Sequence, residues 1–162
     1  MTISPSGSGA GRVDEADAMS AGWRVLRMIG FVLLVVGVLD LALAWFPLRF
    51  GTPEWEFGTI SATLNNMPVP AMGLALLLAY AAAERNVGVL VAVAVWGAVM
   101  TVFLSVAAVF YGLDVPLALR AVQNPVALRG LKTGMIKAVI SLIGYGGFHV
   151  WAAVFAIRRM RR

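Results

Sequence analysis

Apolar residues fall in four long runs, separated by short polar segments. Trp23–Phe46 is flanked near its start by Arg24 and Arg27 and holds Asp40 inside it. Pro68–Ala83 and Val87–Gly112 hold no charge, and Ala138–Ile157 holds only His149. A bilayer-crossing helix takes ~20 mostly apolar residues, within a range of about 17 to 25. Three runs meet that length. The second reaches only ~24 Å at 1.5 Å per residue, and crosses if Glu84 and Arg85 snorkel or the bilayer thins.

The pattern therefore predicts an all-α integral membrane protein with four transmembrane helices, near 23–46, 68–83, 87–112 and 138–157. Residues 1–22 read as a polar N-terminal extension, Gly/Ser-rich and disordered over Met1–Arg12, and 23–162 as the transmembrane domain. Ala42-Leu43-Ala44 has the form of a signal cleavage site. Asp40 within the apolar core and the length of the run argue for a retained helix instead. Glu84-Arg85-Asn86 leaves room only for a tight antiparallel turn.

Both longer connections carry helix signals, so short amphipathic interfacial helices are expected in the outer loops. Thr52 can cap a helix opened by Pro53, with Glu54 and Glu56 in the first turn. Phe57, Ile60, Leu64 and Met67 then recur at helical spacing. Residues 53–66 read as a helix lying in the membrane interface, with Phe57, Ile60 and Leu64 on its apolar side, Thr59 and Thr63 toward water, and Trp55 as an anchor. A re-entrant loop is the alternative. In the second loop, Asp114 can cap a short helix opened by Val115-Pro116, which Asn124-Pro125 ends.

Composition and charge narrow the class. The chain is 60% hydrophobic and 13% charged, with a mean hydropathy of +0.87, whereas soluble domains are nearer to ~25% charged. Four spans put both termini on one side, with Arg12, Arg24, Arg27, Arg85, Arg158, Arg159, Arg161 and Arg162. Arg49, Arg120, Arg129, Lys132 and Lys137 fall on the other. The asymmetry predicts cytoplasmic termini in a bacterial inner membrane. Arg158, Arg159, Arg161 and Arg162 should attract anionic lipid head groups. The basic residues sit at membrane edges rather than in one stripe, so nucleic acid is not an expected partner. The absence of cysteine excludes disulfides and iron–sulfur ligation.

Residues 40–80 resemble the start of the HpsJ-like bacterial membrane proteins. The resemblance rests on Pro47-Leu48, Pro53-Glu54-Trp55-Glu56, and Val69-Pro70 with Gly73. Where that family has Asp-Arg-Gly, this chain has Asn65-Asn66-Met67-Pro68. The family is associated with polysaccharide secretion without a defined catalytic role. The resemblance implies an accessory membrane role and supplies no active-site residues.

Ionisable groups inside a bilayer are candidates for function. Asp40 lies in the first span and His149 in the fourth. Lys137, Ser141, Tyr145 and His149 recur every four residues along the fourth, on one slowly drifting face, and Gly144 and Gly147 should allow close helix approach there. Asp40, Ser141, Tyr145 and His149 form a candidate polar seam, as interhelical glue or as a proton, head-group or cofactor path. Depth arithmetic sets Asp40 level with Ser141 and Tyr145, so a bond between the first and last spans is expected. His149 could serve as an axial cofactor ligand held partly by another subunit. No cofactor or metal is predicted. Ser141 and His149 are ~12 Å apart along one helix, too far for a Ser–His catalytic pair. Gly144-Tyr145-Gly146-Gly147 follows no strand, so a phosphate loop fails its context.

Three functions remain open: a non-catalytic accessory subunit that binds other membrane proteins, a small proton-coupled transporter or lipid- or cofactor-binding protein using Asp40 and the seam, and a lipid-modifying enzyme. The sequence favours the first. The third would need a nucleophile or paired carboxylates near the interface, and Glu54 and Glu56, two apart on a helix, diverge.

Overall fold

Prolines and asparagines in the breaks of the chain set its helix ends. A computed structural model describes residues 9–49 and 51–162, with side chains from Ala21 onward except those of Pro53 and Glu54. Five helices follow in order: α1 Gly9–Ala44, α2 Pro53–Asn66, α3 Pro68–Glu84, α4 Val87–Ala121 and α5 Pro125–Met160. There is no strand among the described residues. Helices α2, α3 and α5 open with a proline in the first turn, where an N–H has no helical partner to lose. Asn86 and Asn124 cap the other breaks. Asn86 Oδ1 accepts from Val89 N at 3.1 Å, and Asn124 Oδ1 accepts from Val126 N at 2.9 Å.

Four segments are long and apolar enough to cross a membrane: Ala21–Ala44, Trp55–Ala83, Val87–Ala121 and Pro125–Met160. Their number matches the sequence reading; their limits differ. Helix α1 begins at Gly9, so Gly9–Gly22 of the expected extension continues into the first span. Residues 1–8 lie outside the described residues.

Helix α2 has the expected bounds, 53–66, but its covered face is shifted. Thr59, Ile60, Thr63, Leu64 and Met67 are all buried, whereas Phe57 is half-buried. Thr59 and Thr63 turn inward, and Thr63 Oγ1 accepts from Trp45 Nε1 at 2.9 Å, which removes the penalty for burying its hydroxyl. Helix α2 also runs almost unbroken into α3. Met67 keeps right-handed helical backbone, Met67 N donates to Thr63 O and Ala71 N donates to Met67 O. Thr52 stands at the N-cap position without capping; its hydroxyl donates to Arg49 O at 2.7 Å.

The second outer loop is much shorter than expected. Helix α4 continues through Asp114 and Pro116 to Ala121, and α5 starts at Pro125, leaving a connection of 122–124. A proline inside a helix removes one backbone hydrogen bond, and Tyr111, Asp114 and Val115 pack α4 onto the bundle beside it. Asp114 is therefore a buried mid-helix residue, not a cap.

The helices pack in three layers. The α2–α3 rod lies in the middle, α1 against one side of it, and the α4–α5 pair against the other; α1 packs on neither α4 nor α5. Glycines set the closest approaches. A Cβ on Gly73 would lie 2.7 Å from Gly30 O and from Leu34 N, and one on Gly37 would lie 2.5 Å from Pro70 Cδ. A Cβ on Gly97 of α4 would meet His149 O of α5 at 2.8 Å. Gly144 and Gly147, expected to bring helices together, have nothing within 4 Å of such an atom. They lie away from the α4–α5 contact, which forms at Gly97 and Ala153 instead.

Two apolar cores result. One, at the end bearing the 45–52 and 122–124 connections (the upper end), gathers Leu41, Ile60, Leu64, Met67, Leu104 and Tyr111. The other, toward the 85–86 turn and the C-terminus (the lower end), gathers Leu74, Leu78, Leu90, Val93, Ala152 and Ala156. Trp96 packs against both.

Candidate functional site

The polar groups that the fold brings together lie at the upper end, between α2 and α4. Glu56 sits in the first turn of α2, where its Oε1 accepts from Gly51 N at 2.7 Å. Gly51 holds φ +87°, a left-handed backbone that glycine adopts without strain, and this aims its N–H back at the helix. Asp114, on the facing side of α4, is 6% exposed and lies beside Glu56. Two carboxylates so placed repel each other when both are ionised. Asp114 Oδ2 is buried with no hydrogen-bond partner among the described residues. One turn below on α4, Tyr111 stacks on Phe57 with centroids 5.1 Å apart, and its hydroxyl is also buried without a partner.

Trp45 covers this cluster from the α1 side. Its ring meets Trp55 edge-on at 5.9 Å and Phe103 at 5.4 Å. Trp55 thus packs within an aromatic group as well as lying near the surface.

The pair makes a prediction. Asp114→Asn should fold with stability at least equal to the parent, because an amide removes the carboxylate repulsion and can donate to Glu56. Asp114→Leu should cost about 1–3 kcal/mol, the penalty for leaving a buried polar partner unmet. Thermal unfolding in detergent decides, and equal losses for both variants would exclude the pairing.

The expected seam is divided by the fold. Asp40 is half-buried on α1, and α1 does not pack on α5. The anticipated bond from Asp40 to Tyr145 or Ser141 is absent. Depth arithmetic fixed the level of these residues but not the order of the helices around the bundle. The glycine contacts put α1 on α3, with the α2–α3 layer between Asp40 and the seam. Ser141 and Lys137 instead line a cavity of about 230 Å³ with Ser61 and Asn65 of α2. Tyr145 lines an open groove against Ala71 and Ala75 of α3.

His149 is fully buried against α4. Its Nδ1 donates to Tyr145 O at 2.7 Å, which leaves Nε2 as the acceptor, buried without a partner. At the lower end, Arg159 Nη2 donates to Ala82 O at 3.2 Å, while Arg158, Arg161 and Arg162 are exposed. No group of three or more potential metal-ligating side chains occurs among the described residues.

The Glu56–Asp114 pair escaped sequence reading because its members are far apart in the chain and Asp114 resembled a cap. The available signal was an acid inside an otherwise apolar helical stripe.

Five helices, with four segments long and apolar enough to cross a membrane, mark a multi-pass α-helical membrane protein. Residues 22–128 match the family model of the HpsJ-like proteins. The chain belongs to that family. The matched segment extends well beyond 40–80, includes Glu56, Tyr111 and Asp114, and stops before Ser141, Tyr145 and His149. No curated protein and no solved structure gives a match.

Proposed function

We propose that the protein is a non-catalytic accessory subunit that binds other membrane proteins through the upper end of the α4–α5 hairpin. The observation behind this reading is that the hairpin is longer than a bilayer is thick and stays apolar beyond it. The 35 and 36 residues of α4 and α5 span ~52 and ~54 Å at 1.5 Å per residue. A hydrocarbon core is ~30 Å thick. With the lower end at one membrane surface, some 20 Å of hairpin stands above the other. That part leaves Leu113 66%, Leu117 53% and Val126 79% exposed. Apolar side chains clustered outside the lipid mark an interaction surface.

In this reading the membrane is the bacterial inner membrane and both termini are cytoplasmic, supported by the excess of basic residues on that side. Residues 53–66 then begin in the outer interface, with Trp55 near the lipid surface, and descend into the bundle. The alternative, a small proton-coupled transporter or a lipid- or cofactor-binding protein using Asp40 and the seam, has less support, because α1 and α5 do not pack together.

A photo-crosslinker at Leu117 or Val126 in native membranes should form a discrete adduct with a second membrane protein. One at Val102, within the span, should not. Leu117→Glu with Val126→Glu should abolish the adduct-forming complex while leaving insertion intact. Lipid adducts alone at all three positions would reject the proposal.

A further inference from the structure

The lower end of the bundle contains a cavity of about 220 Å³ lined by Arg85, Val87, Leu90, Arg159, Met160 and Arg162. We infer that it is a binding site for a single phosphate group, and that an anionic phospholipid supplies it. The inference does not rest on the partner-binding role proposed above.

Three arginines from two separate parts of the chain line one cavity, and no Asp or Glu side chain does. None of the three forms an ion pair among the described residues, and Glu84, next to Arg85 in the chain, is exposed and outside the lining. Like charges gather at a cost, which a bound anion would offset. Guanidinium is the side-chain group best shaped for phosphate oxygens, with planar paired N–H donors.

The backbone supports the arrangement. Arg85 ends α3 in the left-handed region, at φ 52° and ψ 35°, with its N–H donating to Ala81 O. Glycine or asparagine ordinarily fills such a position, because other side chains crowd the backbone there. An arginine held in that conformation carries its side chain to the cavity at the expense of local stability, a pattern found at binding sites. Asn86 fixes the other side of the turn by capping α4. Arg159 is held in place from α5 by its bond to Ala82 O, and a guanidinium bonded through one N–H retains others for a ligand.

The remaining lining selects between phosphate sources. Val87, Leu90 and Met160 give the cavity an apolar wall. A free phosphate ion gains nothing from that wall, whereas a phospholipid places glycerol and the first acyl carbons against it. The location suits such a lipid: the cavity lies at the ends of α3, α4 and α5, where head groups meet hydrocarbon.

The test uses the full-length protein in neutral detergent. Native mass spectrometry would count retained phospholipid, and thermal shifts would be measured on adding phosphatidylglycerol, phosphatidylcholine or inorganic phosphate. The variant is Arg85→Asn with Arg162→Gln, since asparagine preserves the left-handed turn and Arg159, which braces the helices, is retained. The control, Arg158→Gln with Arg161→Gln, removes the same charge from arginines that do not line the cavity. The parent and control should retain one anionic lipid and be stabilised by phosphatidylglycerol. The cavity variant should bind it about thirty-fold more weakly, at ~1 kcal/mol per basic residue lost. Equal losses in both variants would show diffuse surface attraction and overturn the site. A shift produced as well by inorganic phosphate would overturn the lipid assignment.

Discussion

Gly73→Leu should yield no folded, monodisperse protein, and Gly73→Ala should already be destabilised. A Cβ at this position would sit 2.7 Å from backbone atoms of Gly30 and Leu34, and a backbone cannot swing aside as a long side chain can. Overpacking of a close contact costs ~1–3 kcal/mol. In Gly73→Ala, that exceeds the ~1 kcal/mol that alanine gains over glycine inside a helix. Leucine would force α1 off α3, and these two helices share the main packing surface of that side of the bundle. Gly144→Ala and Gly147→Ala are the controls. Nothing lies within 4 Å of a Cβ at either site, so both should be neutral or gain up to ~1 kcal/mol from helix propensity. Size-exclusion profiles and thermal unfolding in one detergent would rank the variants. If Gly73→Ala matched Gly147→Ala, the α1–α3 contact would not be as close as described.

Trp45→Ala should produce the second large loss, about 3 kcal/mol, at the low end of large-to-small aromatic substitutions because Trp45 is only half-buried. Two consequences combine. The ring contacts with Trp55 and Phe103 disappear, and the Thr63 hydroxyl, 1% exposed, loses its donor at Trp45 Nε1. Trp45→Phe separates them, retaining an aromatic ring while removing the N–H. It should cost ~1–2 kcal/mol. Adding Thr63→Val to Trp45→Phe should then cost less than Thr63→Val costs alone, because the hydrogen bond is already gone. Unfolding midpoints for the four proteins close the cycle, and simple additivity would mean that the bond contributes nothing.

The sequence showed the four spans and the bounds of α2 clearly, because both depend on local pattern: apolar run length in one case, Thr52-Pro53 and the Phe57–Ile60–Leu64 spacing in the other. It failed wherever the outcome depended on which helix neighbours which. Asp40 was assigned a partner on a helix that its own does not touch. Gly144 and Gly147 looked like a packing motif, whereas Gly30, Gly37, Gly73 and Gly97 meet another helix. Pro116 looked like a helix start because proline is common there. It was tolerated inside α4 because the helix around it was already held by packing. Asn124-Pro125 was correctly read as a break, since a capping side chain and a missing N–H at adjacent positions leave the chain little alternative. The Glu56–Asp114 pair needed both a long-range contact and the reassignment of Asp114, and neither is encoded locally.

The meeting of Gly97 with His149 has a mechanical consequence. Helix α5 is continuous from Pro125 to Met160, and at His149 its backbone is pressed against that of α4. That point divides the rod unequally, with ~36 Å above it and ~17 Å below at 1.5 Å per residue. The tightest point of the hairpin thus lies near its foot, so a side chain added at Gly97 would push α4 and α5 apart at the lower end first.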